Sequence, residues 1–382
     1  MYIEKVEKEM TRAIFPGFKG RASFATSLCC IAAALVLILS ACSTSSNQTT
    51  TSTPTTSSGS PSSTSQQPSD FGLAALPGYS ISLFAKSTGD FAGPDSLVVD
   101  NGFVYIDYQN TTAKDCTDKN TSTVVQYDMN GKMLKTFTVP GHSDGMRVDP
   151  STHLLWVTSC EDGNPKFVTI DPSSGTVTPY AFPQPTAHGG GFDDLCFLNG
   201  MVFVAASNPN LNSAGVNVFP AIDKMTLSNG KINLTPVLMG NATATDLIAN
   251  AKTTLNLVDP DSMTVDSSGQ LVLVNQAGSQ LVFLKNPGTP QQTVTSVPVG
   301  NQLDDTVWTP STQGRLLVAD GTSGNTYWIT ETHFSPGIVY TQAPDDSGVV
   351  GFVGVVDLKT GFITPVVIGF FKATGMLYVP NS

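Results

Sequence analysis

The chain repeats itself, and that repetition limits its fold more than any other feature. Five segments read alike: Asp95 to Ile106 (DSLVVDNGFVYI), Asp144 to Val157 (DGMRVDPSTHLLWV), Asp193 to Val204 (DDLCFLNGMVFV), Asp261 to Val274 (DSMTVDSSGQLVLV), and Asp304 to Trp308 (DDTVW), which reaches Gly314 to Val318 (GRLLV). A sixth, Gly369 to Val379 (GFFKATGMLYV), keeps the pattern and loses the Asp. Each reads as a short strand, a tight Asp/Asn/Gly/Pro turn and a β-prone second strand. A second turn motif, of the form Tyr127-Asp-Met-Asn-Gly and Ile170-Asp-Pro-Ser-Ser-Gly, follows the first four copies and precedes the sixth. One unit is therefore four antiparallel strands, repeated at spacings of 49, 49, 68, 43 and about 63 residues. That spacing describes an all-β fold, a β-propeller of six four-stranded blades over residues 71–382. Residues 321–350 are long enough for a seventh blade, and a sandwich or two smaller β domains are the alternatives. Leu76 to Lys86 supplies at least one outer strand to the last blade, which joins the two ends of the chain and leaves few open edges.

Residues 1–70 lie outside this pattern. Lys19 and Arg21 precede an apolar run, Cys29 to Leu39, followed by Ser40-Ala41-Cys42. A basic segment, an apolar core and small residues before a cut site make a secretory signal over residues 1–41. The run is short for a membrane span, which takes about 20 apolar residues. Leu39-Ser40-Ala41-Cys42 resembles the lipobox of bacterial lipoproteins, which implies cleavage before Cys42 and its lipidation. Two or more acyl chains anchor far better than one. The rest of the chain is then extracytoplasmic, in the cell envelope. Ser43 after the cysteine points to the outer membrane if the cell is Gram-negative. Residues 43–70 hold Ser, Thr, Pro, Gln and Asn with no apolar side chain, so residues 42–70 form a flexible linker.

Composition narrows the partners. The formal net charge is −11, with 13% charged residues. An acidic chain lacks the basic face that phosphate backbones need, so nucleic acid is excluded as a partner.

Ser143 to Val157 and Leu76 to Ala85 resemble the six-bladed propellers of the gluconolactonase-like (SMP-30) and NHL-repeat group. In such a blade the first and third turns open on one face, while the other connections open on the opposite face. Here the long segments Asn110–Ser122, Ser207–Gly215, Gly240–Asn256 and Gly321–Val350 all fall on the second face, and Ala244 to Lys252 has the composition of a small helical lid. Long loops on a rigid frame are the usual place for binding. The innermost strands start on that face, so Asp95, Asp144, Asp193, Asp261 and Asp304 ring the channel mouth. The resemblance implies that a subset of these residues holds one divalent cation, calcium, with the closest motif match at Asp144. The alternative is that each Asp accepts backbone N–H groups and fastens one blade to the next.

His142 and His188 enter innermost strands and are candidates for a general base or a metal ligand. Arg147 lies along the channel and offsets part of the acidic ring. His153 falls at the opposite turn. Cys116 and Cys160 sit on neighbouring loops of one face and are expected to form a disulfide outside the reducing cytoplasm. Cys196, mid-strand, is a buried thiol. The functional expectation is a lipid-anchored propeller that binds a small ligand or protein partner on its loop-rich face. The alternatives are a metal-dependent gluconolactonase-like hydrolase and, more distantly, a quinoprotein-like sugar oxidoreductase. No Gly-x-Ser-x-Gly elbow, His-Glu-x-x-His or phosphate loop is present.

Overall fold

The computed structural model describes residues 72–344 and 348–381, and these hold strands and turns with no helix. The signal segment, Cys42 and the linker lie outside the described residues.

Two strands open the described chain, β1 (Ala74–Ala75) and β2 (Tyr79–Lys86). Four antiparallel meanders follow in order. The first is β3 (Pro94–Asp100), β4 (Phe103–Tyr108), β5 (Thr121–Asp128) and β6 (Met133–Pro140). The second is β7 (Ser143–Val148), β8 (Leu155–Ser159), β9 (Lys166–Ile170) and β10 (Val177–Ala181). The third is β11 (Leu195–Leu198), β12 (Met201–Ala205), β13 (Pro220–Ser228) and β14 (Lys231–Met239). A hairpin, β15 (Thr243–Asp246) and β16 (Ala251–Thr254), then leads to the fourth: β17 (Pro260–Val265), β18 (Leu271–Asn275), β19 (Gln280–Lys285) and β20 (Thr293–Pro298).

Turn chemistry explains why each meander folds back where it does. Asn101-Gly102, Asn199-Gly200 and Asn229-Gly230 all take positive φ at both positions, as tight two-residue hairpins require. In the Asp-led turns, the carboxylates of Asp149, Asp171, Asp266 and Asp357 accept the backbone N–H two residues on, at 2.8–2.9 Å.

The remaining strands are β21 (Thr306–Trp308), β22 (Gly314–Asp320), β23 (Asn325–Glu331), β24 (Val339–Ala343), β25 (Gly351–Val356), β26 (Ile363–Phe370) and β27 (Ala373–Pro380). Their pairing departs from the sequence reading, which joined Asp304–Trp308 to Gly314–Val318 as one hairpin. Instead, β21 pairs with β24, and the fifth sheet runs β21, β24, β25, β26 with β1 on its edge. Hairpin β22–β23 crosses to the last sheet, which runs β27, β22, β23, β2. Length decides the exchange. β21 has three residues before Thr309-Pro310, and proline ends a strand because it lacks the N–H. β22 has seven, and β27 matches it from Gly314↔Pro380 to Asp320↔Ala373. The stretch Gly321–Val350, expected as a loop, accordingly contains β23 and β24. As the Leu76–Lys86 reading expected, the N-terminal strand β2 seals the outside of the sheet whose innermost strand is the C-terminal β27.

Each apolar cluster is shared by two successive sheets. Val98, Val124 and Phe137 of the first pack with Met146, Val157 and Ile170 of the second, and the same holds from second to third, third to fourth, fourth to fifth and fifth to sixth. Phe84, Leu317 and Trp328 of the last sheet then pack on Leu97, Ile106 and Val125 of the first. The succession closes on itself. Fully burying one such side chain is worth about 1.5–3 kcal/mol, so the core lies between sheets rather than at a centre. The first strands, β3, β7, β11, β17, β21 and β27, touch one another in sequence around the inside.

Candidate functional site: an acidic mouth

The innermost strands begin around a cavity of about 180 Å³. Asp95, Asp144, Asp193, Asp261 and Asp304 all line it, and Thr374 of β27 takes the sixth place. Their neighbours one residue on do the fastening. The Asp194 carboxylate accepts the N–H groups of Leu195 (2.7 Å) and of Met263 in β17 (2.8 Å). Asp305 accepts Met376 N–H of β27 at 2.8 Å, and Ser262 Oγ donates to Asp304 O at 2.9 Å. Gly145 and Gly375 have no room for a side chain: a Cβ on Gly375 would lie 1.9 Å from Asp95 O, and one on Gly145 would lie 2.5 Å from Asp194 Cα. Thr374, where the Asp is lost, does fasten, donating from Oγ1 to Pro94 O at 2.8 Å. Ring carboxylates have fewer bonds. Asp95 and Asp144 share the Gln109 amide, at 3.1 and 3.4 Å, and Asp261 accepts its neighbour's N–H.

Arg147 neutralises the fastening pair rather than the ring. Its guanidinium bonds Asp194 and Met263 O (2.9 Å) and stands 4.0 Å from Asp305. Ten carboxylates line the cavity, against Lys114 and Lys372. Burial, reinforced by neighbouring carboxylates, holds the acids of Asp144, Asp193, Asp261 and Asp304 well above their usual range. Burial pushes Asp95 up to about 7, and Asp194 up to about 6 despite Arg147.

One corner of the mouth is organised differently. One donor atom from each of His142, Asp144 and Glu161 lies within 4.8 Å of the others. Thr112 Oγ1 gives its proton to Gln109 O, so towards His142 it can only accept. His142 Nδ1 therefore carries the ring hydrogen, placed between Thr112 Oγ1 (2.8 Å) and Thr112 O (3.0 Å). Burial lowers the pKa of this imidazole, so it is neutral and Nε2 keeps its lone pair. That lone pair faces Asp144 Oδ1 at 3.4 Å with no hydrogen bond, and Asp144 Oδ2 has none either. His142 and Asp144 are only 6% and 5% exposed. Two acceptors face each other across a buried gap, which requires a proton or a cation between them. Glu161 closes the corner, paired with Lys114 and hydrogen-bonded to Asp193. A histidine that donates one nitrogen to a carbonyl and offers the other beside carboxylates has the usual arrangement of a metal ligand.

Of the sequence candidates, the five ring Asp residues and His142 come together here. His188 does not: it is 1% exposed, its Nε2 donates to Gly191 O at 2.6 Å, and its ring packs edge-on against Phe192. His153 pairs with Asp100 at a remote turn. Cys196 is a buried free thiol, and Cys116–Cys160 is a disulfide. The helical lid expected at Ala244–Lys252 is hairpin β15–β16, because threonines alternate along it and Asn250 takes positive φ at its turn. Sequence reading missed Glu161, Lys114 and Asp259. Their signals were slight: Glu161 follows a half-cystine, and Asp259 precedes Pro260-Asp261.

No protein-family profile and no curated protein sequence matches the chain. Among solved structures, the neighbours are gluconolactonase-like and streptogramin B lyase β-propeller proteins. One, assigned as a gluconolactonase, aligns with a TM-score of 0.46 at 11% identity over 80% of this chain and 90% of that one. Virginiamycin B lyase from Staphylococcus aureus aligns at 0.40 and 12%, over 66% and 99%. A Bacteroides fragilis protein assigned as a 6-phosphogluconolactonase aligns at 0.41 and 14%, over 77% and 89%. Likeness at this level says nothing of the chemistry.

The acidic mouth makes the metal-free protein pH-sensitive. Between about pH 4 and pH 7 the folded state holds protons on Asp95 and Asp194 that the unfolded chain has released. Unfolding then releases protons, so the stability present at low pH is lost as pH rises through the folded-state values. Urea unfolding with chelator is expected to give lower stability at pH 8 than at pH 5, by at least about 2 kcal/mol. Equal stability at the two pH values would mean that these carboxyls are ionised in the folded state.

Proposed function

We propose that the chain is a cell-envelope protein, a six-bladed propeller whose acidic mouth binds one divalent cation and, through it, a small oxygen-rich ligand. The observation that carries this reading is the buried lone pair of His142 Nε2 set against Asp144, with Glu161 beside them. The six meanders, each sharing a core with the next and the last with the first, are read as the blades. Calcium is the ion that the resemblance to the gluconolactonase-like group implies. An imidazole nitrogen in the ligand set favours manganese or zinc instead, since calcium takes oxygen donors. His142, Asp144 and Glu161 would hold the ion, and it would polarise a bound carbonyl or hydroxyl oxygen.

The test opposes two effects of one substitution. Asp144→Asn replaces a buried acid that burial makes hard to ionise with a neutral amide, so the chelated variant should melt at or above the wild-type temperature. The same change removes a ligand, so stabilisation by added manganese or zinc should shrink. A variant that gains as much from metal as the wild type sinks the proposed site.

A second reading is a cation-dependent hydrolase of a lactone or ester. It is supported by Asp95, a mouth carboxyl that shares the Gln109 amide with Asp144 and so stands beside the proposed ion as a candidate general base. Ring opening of an aldonolactone, restored by the ion and reduced about 100-fold or more in Asp95→Asn, is the expected result. No turnover by metal-loaded protein across a lactone and ester panel would leave binding alone.

Anchoring through Cys42 completes the proposal, supported by the Leu39–Cys42 sequence. Cells fed a labelled fatty acid should incorporate it into the wild type and not into Cys42→Ser. Equal labelling of both would refute the anchor.

A further inference from the structure

Two loops meet at the metal corner, and the disulfide joins them beside His142. Cys116 Sγ accepts the His142 backbone N–H at 3.3 Å, and Cys160 N–H donates to His142 O at 2.7 Å. Both faces of the His142 main chain are thus held by the two half-cystines. The residue before it, Gly141, lies directly under the sulfurs: a Cβ there would stand 2.3 Å from Cys116 Sγ and 2.6 Å from Cys160 Sγ. Gly141 also takes a φ of 90°, which suits glycine alone. Glu161 is the next residue after Cys160, and its side chain reaches back to Lys114 on the Cys116 loop. Asp162 N–H donates to Lys114 O at 3.2 Å, and Asn164 Nδ2 donates to Asp115 O at 2.9 Å, which continues the seam between the loops. His142 Nδ1 donates to Thr112 Oγ1 and O, four residues before Cys116. Without the crosslink, the loop carrying Thr112 and Lys114 and the loop carrying Glu161 are joined near the corner by the Lys114–Glu161 pair, whose lysine is half exposed, and a few polar bonds.

We infer that Cys116 and Cys160 are positioning residues for the cation site: the disulfide sets His142 and Glu161 at binding distance, beyond its contribution to global stability. The inference rests on the cation-binding reading. Residues that orient metal ligands are typically worth 10–100-fold in affinity. The stake is the same here, because both ligating groups hang from the crosslinked segments.

The full chain, solubilised in detergent, is compared with Cys116→Ser/Cys160→Ser and with Val282→Ala. Val282 is buried in β19, in the core between the third and fourth sheets, so its truncation lowers stability away from the mouth. Manganese affinity is read by calorimetry well below each melting temperature, and amide hydrogen exchange at Gly141–Ser143 is read with chelator present. The double serine variant should bind manganese at least 10-fold more weakly and exchange faster at these amides. Val282→Ala should melt lower yet keep both wild-type affinity and wild-type exchange there. Wild-type affinity in the double variant would overturn the inference, as would an equal loss in Val282→Ala. If the wild type itself binds no manganese or zinc, the cation reading fails. The exchange arm still decides, since unchanged protection at Gly141–Ser143 would show that the disulfide does not hold this segment.

Discussion

Arg147 reaches inward from β7 and bonds the Asp194 carboxylate and the carbonyl of Met263, with Asp305 close by. Asp194 in turn accepts Met263 N–H, and Asp305 accepts Met376 N–H from the last strand. One guanidinium and two carboxylates thereby tie the inner ends of β7, β11, β17, β21 and β27. Breaking such a buried group by removing one partner leaves a charge without compensation, a penalty of about 3–5 kcal/mol. The sheets supply the cohesion between neighbours. This group fixes how their inner ends meet, and so where the mouth residues stand.

The mouth above it is arranged against stability. Its carboxylates outnumber its cations, and their protons are held by burial rather than by partners. A fold that needed these residues only as fasteners would satisfy them, as it satisfies Asp194 and Asp305. Groups left unsatisfied at one spot, while equivalents one residue away are fully bonded, mark where stability has been given up for another purpose.

Much of the fold was legible because its signal is repeated. Hairpin turns such as Asn101-Gly102 and Asn199-Gly200 need positive φ, and only a few residues provide it cheaply, so sequence and turn correspond. The fifth repeat misled because its first strand, β21, is too short to bind the segment that follows it, and partner choice between β21 and β27 depends on length matched far along the chain. Ala244–Lys252 misled for a different reason, since composition allowed a helix while alternating threonines favoured a hairpin against β20. At the site, the Asp ring could be read from repeat position. Glu161 could not, because its place in the mouth follows from where a loop is crosslinked. Strand alternation already turned Asp194 and Asp305 away from the ring, but their fastening role was not legible, since it depends on which N–H groups of other strands come within reach.

Strand exchange in the last sheet sets the order in which the molecule can be completed. β2 has its partner β23 far along the chain, and β22–β23 itself pairs with β27. Closure therefore pairs segments far apart in sequence, which is the slowest kind of contact to form. Until Gly314–Pro380 has folded, Phe84 and Leu97 lack Leu317, Trp328 and Val379, and the first sheet covers only part of their apolar faces.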